Sequence, residues 1–173
     1  MNRNRFAELF KTFQSPIYRY LYRTSGSKEA AEELLQETFY RAMLSLRIED
    51  TKHIRAWLFK VARNLLIDRS RRKEREAEML RQMEIRSTGI SSYKEPEEAL
   101  ELTEERSLIA AIMQRMPEHY RTILYLREIE GFSYQELVEL LGVSMSQVKV
   151  GLHRSKLKFK QLAKELEGGD RDE

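Results

Sequence analysis

Apolar residues recur at three- and four-residue spacing along almost the whole chain, and the strict alternation that marks a strand is nearly absent. From Phe6 the series runs through Leu9, Phe10, Phe13, Ile17 and Leu21, which predicts an N-terminal helix. Pro16 lies inside it and is expected to kink or divide it, because proline lacks an N–H and crowds the preceding turn. Gly26 is a natural stop, and Ser27 a natural N-cap for the next helix. That helix, "KEAAEELLQETFYRAML", sets Ala31, Leu34, Leu35, Thr38, Phe39 and Ala42 along one side. The connection "RIEDTKHI" leads to a third helix, "RAWLFKVARNLLIDRSRRKERE". Its stripe of Trp57, Leu58, Val61, Ala62 and Leu65 stops near Leu66 and Ile67. Beyond it, "RSRRKER" is expected to project as a solvated basic extension.

The period fails at "STGISSYKEPEE", Ser87 to Glu98, where Ser, Gly and Pro replace the apolar stripe. It resumes at Leu108, Ile109, Ile112 and Met116, is broken by Pro117, and continues through Tyr120, Ile123, Leu124 and Leu126. The expected fold class is therefore all-α. Two small helical bundles span residues 1–86 and 106–167. An acidic linker, 87–105, joins them, and 168–173 form a frayed tail.

The sharpest local signal is "GFSYQELVELLGVSMSQVKVGLHRSKLKFK". Ser133 precedes Glu136 by three residues, and Ser144 precedes Gln147 by three. Each pair matches a capping box, in which the two side chains reciprocally satisfy free backbone N–H groups. Between the two helix starts, Gly142 is suited to the left-handed conformation that ends a helix. Helix, glycine turn, helix is the helix-turn-helix layout. Leu137, Leu140 and Leu141 can face Val143, Val148 and Leu152 across the turn.

Charge then gives that motif a ligand. The net charge is only +3, so polyanion binding cannot rest on the total. It rests on placement: Ser144 to Lys160 carries Lys149, Arg154, Lys156, Lys158 and Lys160, with His153, and no acid. On a helical wheel Val148, Leu152, Ser155 and Phe159 share the buried side, and Ser146, Val150, His153 and Arg154 the opposite one. Lys149, Lys156 and Lys160 lie on one flank, Gln147 and Lys158 on the other. A major-groove reader needs base-reading groups on the exposed face and phosphate-binding cations beside them. Arg154 is suited to a bidentate guanine contact and Val150 to a thymine methyl. The plain alternative is a basic helix face that is merely solvated. Gly151 admits two readings: close backbone approach to DNA, or a tolerated glycine costing about 1 kcal/mol of helix propensity. Leu157 points outward without an account.

Composition removes other classes. There is no cysteine, so disulfides and thiolate metal sites are excluded. His53, His119 and His153 are far apart in sequence, and no metal or cofactor is expected. No apolar run approaches the ~20 residues of a membrane span, so no direct membrane insertion is expected. "MNRNRFAELF" lacks a signal-peptide core. A cytoplasmic protein is the expectation.

Two longer stretches carry a family resemblance. "AEELLQETFYRAM" followed by "AWLFKVARNLLIDRSRR" resembles domain 2 of bacterial sigma factors of the extracytoplasmic-function (ECF) group. "MPEHYRTILYLREIEGFSYQELVELLGVSMSQVKVGLHRSK" resembles their domain 4. The resemblance implies a factor that binds core RNA polymerase and directs it to promoter DNA. Domain 4 reads the −35 element as duplex, and domain 2 holds a flipped base of the melted −10 element. On that basis Ser146, Gln147, Lys149, Val150, His153, Arg154 and Lys156 are −35 contacts. Asn64 lines the flipped-base pocket with the loop around Ile48 to Lys52, and Arg63, Arg69, Arg71 and Arg72 attract the strand. Glu33, Gln36 and Glu37 face the polymerase. An anti-sigma factor is a common further partner in the group. This chain departs from the usual pattern at Val150, a common Ser, and at Gly151, a common Arg. Trp57 reads as core packing or as a base-stacking platform.

Three other classes fit less well. A response-regulator-like protein needs a βα receiver, and no strands are predicted. A recombinase needs a nucleophile within a matching Arg and His constellation, or paired carboxylates for two metals; none is seen, so no enzymatic role is expected. An anti-sigma mimic has no use for the basic helix.

Overall fold

The structure, a computed structural model, describes residues 3–45, 53–84 and 104–168. Among these residues all regular structure is helical. The N-terminal half consists of α1 (Arg3–Ser25), α2 (Lys28–Ser45) and α3 (Ile54–Glu84). The C-terminal half consists of α4 (Glu104–Arg115), α5 (Glu118–Glu128), α6 (Tyr134–Leu141) and α7 (Met145–Gly168). The predicted flipped-base loop, the greater part of the predicted linker and most of the predicted tail lie outside the described residues. Glu104 and Glu105, assigned to the linker from sequence, begin α4.

Local chemistry sets the boundaries. Gly26 takes φ of +72° and closes α1, its N–H donating to Tyr22 O at 2.8 Å. Ser27 Oγ then accepts from Ala30 N at 3.1 Å and caps α2. Of the two outcomes expected at Pro16, division does not occur: α1 runs through it. Leu9 before it and Ile17, Tyr20 and Leu21 after it are all buried in one core, and this tertiary anchoring keeps both segments helical. Pro117 is the N-cap position of α5 rather than only the end of α4. The basic stretch after Ile67 extends α3 as a helix to Glu84, with Arg71 to Met83 exposed.

The two halves do not keep separate cores. One continuous apolar cluster contains Ile17, Tyr20, Leu21, Phe59 and Leu66 of the first half with Ile112, Met116, Tyr125, Leu126 and Phe132 of the second. Tyr20 lies between Phe59 and Tyr125, with ring centroids 5.6 and 5.4 Å away. Phe59 meets Phe132 edge to face at 5.3 Å. Such pairs contribute about 0.5–1.5 kcal/mol beyond the area they bury.

Polar groups rim this seam. The Arg121 guanidinium donates to Thr24 O at the end of α1, to Met116 O at 2.9 Å and to Gln114 O at 3.2 Å. A cation there complements the carbonyl ends of α1 and α4 together. Burial lowers the pKa of Arg121 below its ordinary value, against the raising effect of Glu118. Gln114 Nε2 donates to Arg23 O at 3.0 Å. Arg55 donates to Glu130 O, pairs with Glu130 Oε2 at 3.3 Å and stacks over Phe132 at 4.0 Å. The Tyr20 hydroxyl is buried beside Thr122 and Arg63 without a hydrogen bond of good geometry.

Burial raises the pKa of both seam phenols, that of Tyr125 to about 12 and that of Tyr20 further. Each stays protonated in the folded chain above the ordinary value of about 10 at which it ionises when unfolded. Their stabilisation is therefore complete below pH 10 and lost as pH rises from there through the folded pKa. The loss is about 1.4 kcal/mol per pH unit per phenol in that window. Urea unfolding from pH 8 to 11.5 should show a plateau and then a fall beginning near pH 10. Tyr125→Phe should make that fall shallower. An unchanged slope in this variant would show that Tyr125 is not held neutral at the seam.

Candidate nucleic-acid interface

Both predicted capping boxes form. Ser133 Oγ accepts from Glu136 N at 3.1 Å, while Glu136 Oε2 accepts from Ser133 N at 2.7 Å. Ser144 Oγ accepts from Gln147 N at 3.1 Å, and Gln147 Oε1 from Ser144 N at 2.8 Å. Phe132 and Leu137 flank the first cap at the positions of a hydrophobic staple, and both are fully buried. Gly142 adopts φ 66° and ψ 38°, and its N–H and that of Val143 both return to Val138 O. The orphan groups of the turn are thereby satisfied within the motif, and α7 leaves it at a fixed angle to α6.

The faces of α7 divide as the wheel predicts. Val148, Leu152 and Ser155 are buried and Phe159 is packed against the core. Ser146, Lys149, Val150, His153, Arg154 and Lys156 are exposed, Val150 at 44%. Leu157 lies outward at 54% exposure, and nothing in the structure explains it. Two predicted DNA contacts have partners within the chain. Gln147 engages its side-chain oxygen in the cap, so its amide nitrogen is the group left to reach a ligand. Lys156 Nζ pairs with Glu128 Oε1 at 2.9 Å across to α5. Arg154, by contrast, stands exposed on the outward side, where a planar fork can meet a base edge.

Gly151 gains an explanation that neither sequence reading supplied. A Cβ there would lie 3.2 Å from Ile123 Cδ1, so the glycine faces α5 and not a ligand. Its lack of a side chain lets α7 sit close on α5.

In the N-terminal half the residues assigned to single-stranded DNA separate. Asn64, Arg71 and Arg72 are exposed on α3. Arg63 is half-buried, its Nε lacking a partner. Arg69 Nη1 pairs with Glu33 Oε2 at 2.5 Å, joining a predicted strand contact to a predicted polymerase contact. Glu33, Gln36 and Glu37 of α2 line one groove with Arg69 and Arg72 of α3. Glu37 also accepts from Arg41 Nε at 2.7 Å. Trp57 is partly buried against the core, in keeping with packing. Sequence reasoning missed a second surface: an apolar groove lined by Ile109, Met113, Leu124, Ile129 and Phe159, rimmed by Lys160 and the Lys156–Glu128 pair. The clue was Ile129, an apolar residue outside the predicted stripe and 55% exposed. Among the described residues no group of three metal-ligating side chains converges, and no helix is long and apolar enough to cross a membrane.

These features define an all-helical protein that presents a capped helix-turn-helix beside a second bundle with a mixed-charge groove. Residues 9–76 match sigma-70 region 2, and residues 106–159 match sigma-70 region 4. The ECF RNA polymerase sigma factor SigM of Bacillus subtilis (strain 168) is 30% identical over 155 residues, covering 90% of this chain and 93% of that protein. RNA polymerase sigma factor YlaC of the same strain is 29% identical over 163 residues, covering 92% of each. The fold is similar to that of the sigma factor RpoE in complex with the anti-sigma factor NepR from Bartonella quintana. There the TM-score is 0.69 at 20% identity, over 92% of this chain and 96% of that one. It is also similar to CnrH in complex with the cytosolic domain of CnrY, with a TM-score of 0.66 at 21% identity over 93% and 88%. The chain belongs to the sigma-70 family of RNA polymerase sigma factors, in its ECF group. Its role is promoter-directed transcription initiation.

The close fit at Gly151 is testable without DNA. Ile123→Val removes the Cδ1 atom that an added Cβ would approach. In the native background it should cost about 0.5–1.5 kcal/mol, the usual cost of a buried methyl. With Gly151→Ala present the cost should shrink by at least half, because alanine fills the space released. A double-mutant cycle by urea unfolding measures the coupling. Strict additivity would mean that Gly151 does not abut Ile123.

Proposed function

We propose that α7 reads the −35 element as duplex, while α3 holds the −10 element as a melted strand and α2 docks on core RNA polymerase. The division of work follows the two bundles, residues 1–86 and 106–167, with the acidic stretch 87–105 between them. The observation that carries the reading is the exposed side of α7. Arg154, Val150 and His153 stand outward on a helix whose N-terminal capping box is complete, with Lys149 beside them. That is the arrangement by which a recognition helix enters the major groove.

On α3, Asn64 is exposed, and an amide can both donate to and accept from the edge of an unpaired base. Extruding a base costs a few kcal/mol, which pocket contacts and attraction to Arg71 and Arg72 offset. Arg69 joins them only when it leaves Glu33; in the free chain its charge is already paired. Glu33, Gln36 and Glu37 offer carboxylate and amide oxygens to basic groups of the polymerase. The protein acts by binding and positioning, with no chemistry of its own. An anti-sigma factor is a further partner in this reading, as NepR is for RpoE.

Two variants separate the roles. Arg154→Ala should weaken binding to a −35 duplex by about 5- to 150-fold and relax base preference at one position, the equivalent of ~1–3 kcal/mol. Asn64→Ala should leave duplex binding intact and reduce open-complex formation and −10 discrimination. Duplex binding by gel shift and strand opening by permanganate footprinting distinguish the two. Equal, uniform losses in both assays for both variants would refute this assignment.

A further inference from the structure

Glu128 is the last residue of α5, and its carboxylate is poorly placed for that helix. A negative charge at a helix C-terminus opposes the partial negative charge of the free carbonyls there. Arg127 beside it has the sign the position favours, but it turns to Phe132 O at 2.8 Å and to the Tyr134 ring at 4.9 Å. The Glu128 carboxylate instead meets a cation from another helix, Lys156 Nζ of α7, at 2.9 Å. The close seat of α7 on α5, where Gly151 leaves room for Ile123, brings the two within reach.

Lys156 belongs to a row of cations. Lys149, Lys156 and Lys160 share one flank of α7 and are all exposed, about 10 and 6 Å apart along the helix axis. Such a row beside Arg154 is suited to DNA phosphates. Among the described residues an ion pair engages Lys156 and neither of the other two. That pair does little for the fold: its side chains are 53% and 48% exposed, and pairs so open to water stabilise weakly. We propose that Glu128 is a positioning residue for promoter binding. It competes with a DNA phosphate for Lys156, and so sets the strength of duplex binding without touching DNA. This rests on the −35 reading given above and extends it to a residue of α5.

The pair and Arg154 then govern different quantities. Phosphate contacts carry no base information, so they raise affinity for every duplex alike. Arg154 acts on the choice of site, and the Glu128–Lys156 pair on how firmly any duplex is held. A phosphate must displace the Glu128 carboxylate before it gains Lys156. Affinity is lowered on all sequences by the strength of the pair. Such restraint serves a protein that reads a short element, because sites lacking that element are in vast excess on a genome. Weaker attraction to the backbone leaves binding more dependent on the base contacts.

The test uses the full chain and two changes that conserve shape. Glu128→Gln removes the carboxylate charge, and Lys156→Met removes the cation while keeping most of its apolar stem. The probes are a mixed-sequence duplex pool and duplexes selected from that pool by the native chain. Binding is followed by fluorescence anisotropy between about 50 and 200 mM salt. Glu128→Gln should tighten binding about two- to fivefold on both probes, the range open to an exposed ion pair. It should also steepen the fall of log affinity with log salt, by up to ~0.9, the share of one phosphate. With Lys156→Met present, Glu128→Gln should give less than half that gain. Equal gains in both backgrounds overturn the proposal, because Glu128 would then act on DNA through its charge alone and not through Lys156. No gain in the native background overturns it too, as does a gain confined to the selected duplexes. Arg154→Ala is measured beside these variants. If it binds the selected duplexes as tightly as the native chain does, the −35 reading itself fails, whatever the two backgrounds show.

Discussion

Tyr20 is the side chain on which the arrangement of this molecule turns. It comes from α1, lies against Phe59 of its own bundle, and crosses to Tyr125 of the other. Bundles of this size bury little surface each, and a small core alone is marginal. Merging them shields Ile17, Leu21, Met116 and Leu126 completely. The merger has a polar cost, visible in the unpartnered Tyr20 hydroxyl, and a polar return, visible in Arg121 satisfying the carbonyl ends of two helices.

Electrostatics adds a second layer of organisation. A basic face attracts phosphate wherever its cations are unneutralised, and this chain neutralises some of them internally. Lys156 is paired with Glu128, and Arg69 with Glu33. Exposed pairs of this kind contribute only about 0–1 kcal/mol, so they yield readily to a stronger partner. The effect is selective. Arg154 on the outward side of α7 and Arg71 and Arg72 on α3 remain at the surface, whereas Arg69 is drawn toward Glu33 in the groove between α2 and α3. Free protein therefore presents a smaller effective cationic surface than its lysines and arginines suggest.

What the sequence made legible was whatever chemistry acts between near neighbours. The capping boxes at Ser133 and Ser144, the left-handed Gly142 and the buried side of α7 are set by residues within a few positions of each other, and all appear as expected. What it hid depends on residues far apart. Pro16 was expected to kink or divide α1 because its local effect is unfavourable; burial on either side of it keeps the helix undivided. Gly151 could be read only as a ligand-facing gap or a tolerated glycine because the wheel shows one helix, and Ile123 belongs to another. The Arg69–Glu33 pair joins residues 36 positions apart, beyond the reach of any periodicity. The shared core was invisible for the same reason: each aromatic residue fitted the stripe of its own helix, and nothing local told which stripes would meet.

Helix α3 joins these layers into one mechanism. Along its length it carries Arg55 against Phe132, Phe59 in the seam, Arg63 beside Tyr20, Asn64 turned to solvent, and Arg69 against Glu33. A continuous helix transmits a displacement along its axis, because its backbone hydrogen bonds resist local bending. In the reading proposed above, docking of α2 competes for Glu33 and so frees Arg69. That exchange adds to the positive charge near Asn64, where the same reading holds an unpaired base. On that basis attraction for the melted strand is lower in the solitary chain and grows as the chain docks. A factor organised in this way has less reason to trap single-stranded DNA on its own, since one of its cations beside that strand, Arg69, is occupied until Glu33 is engaged elsewhere.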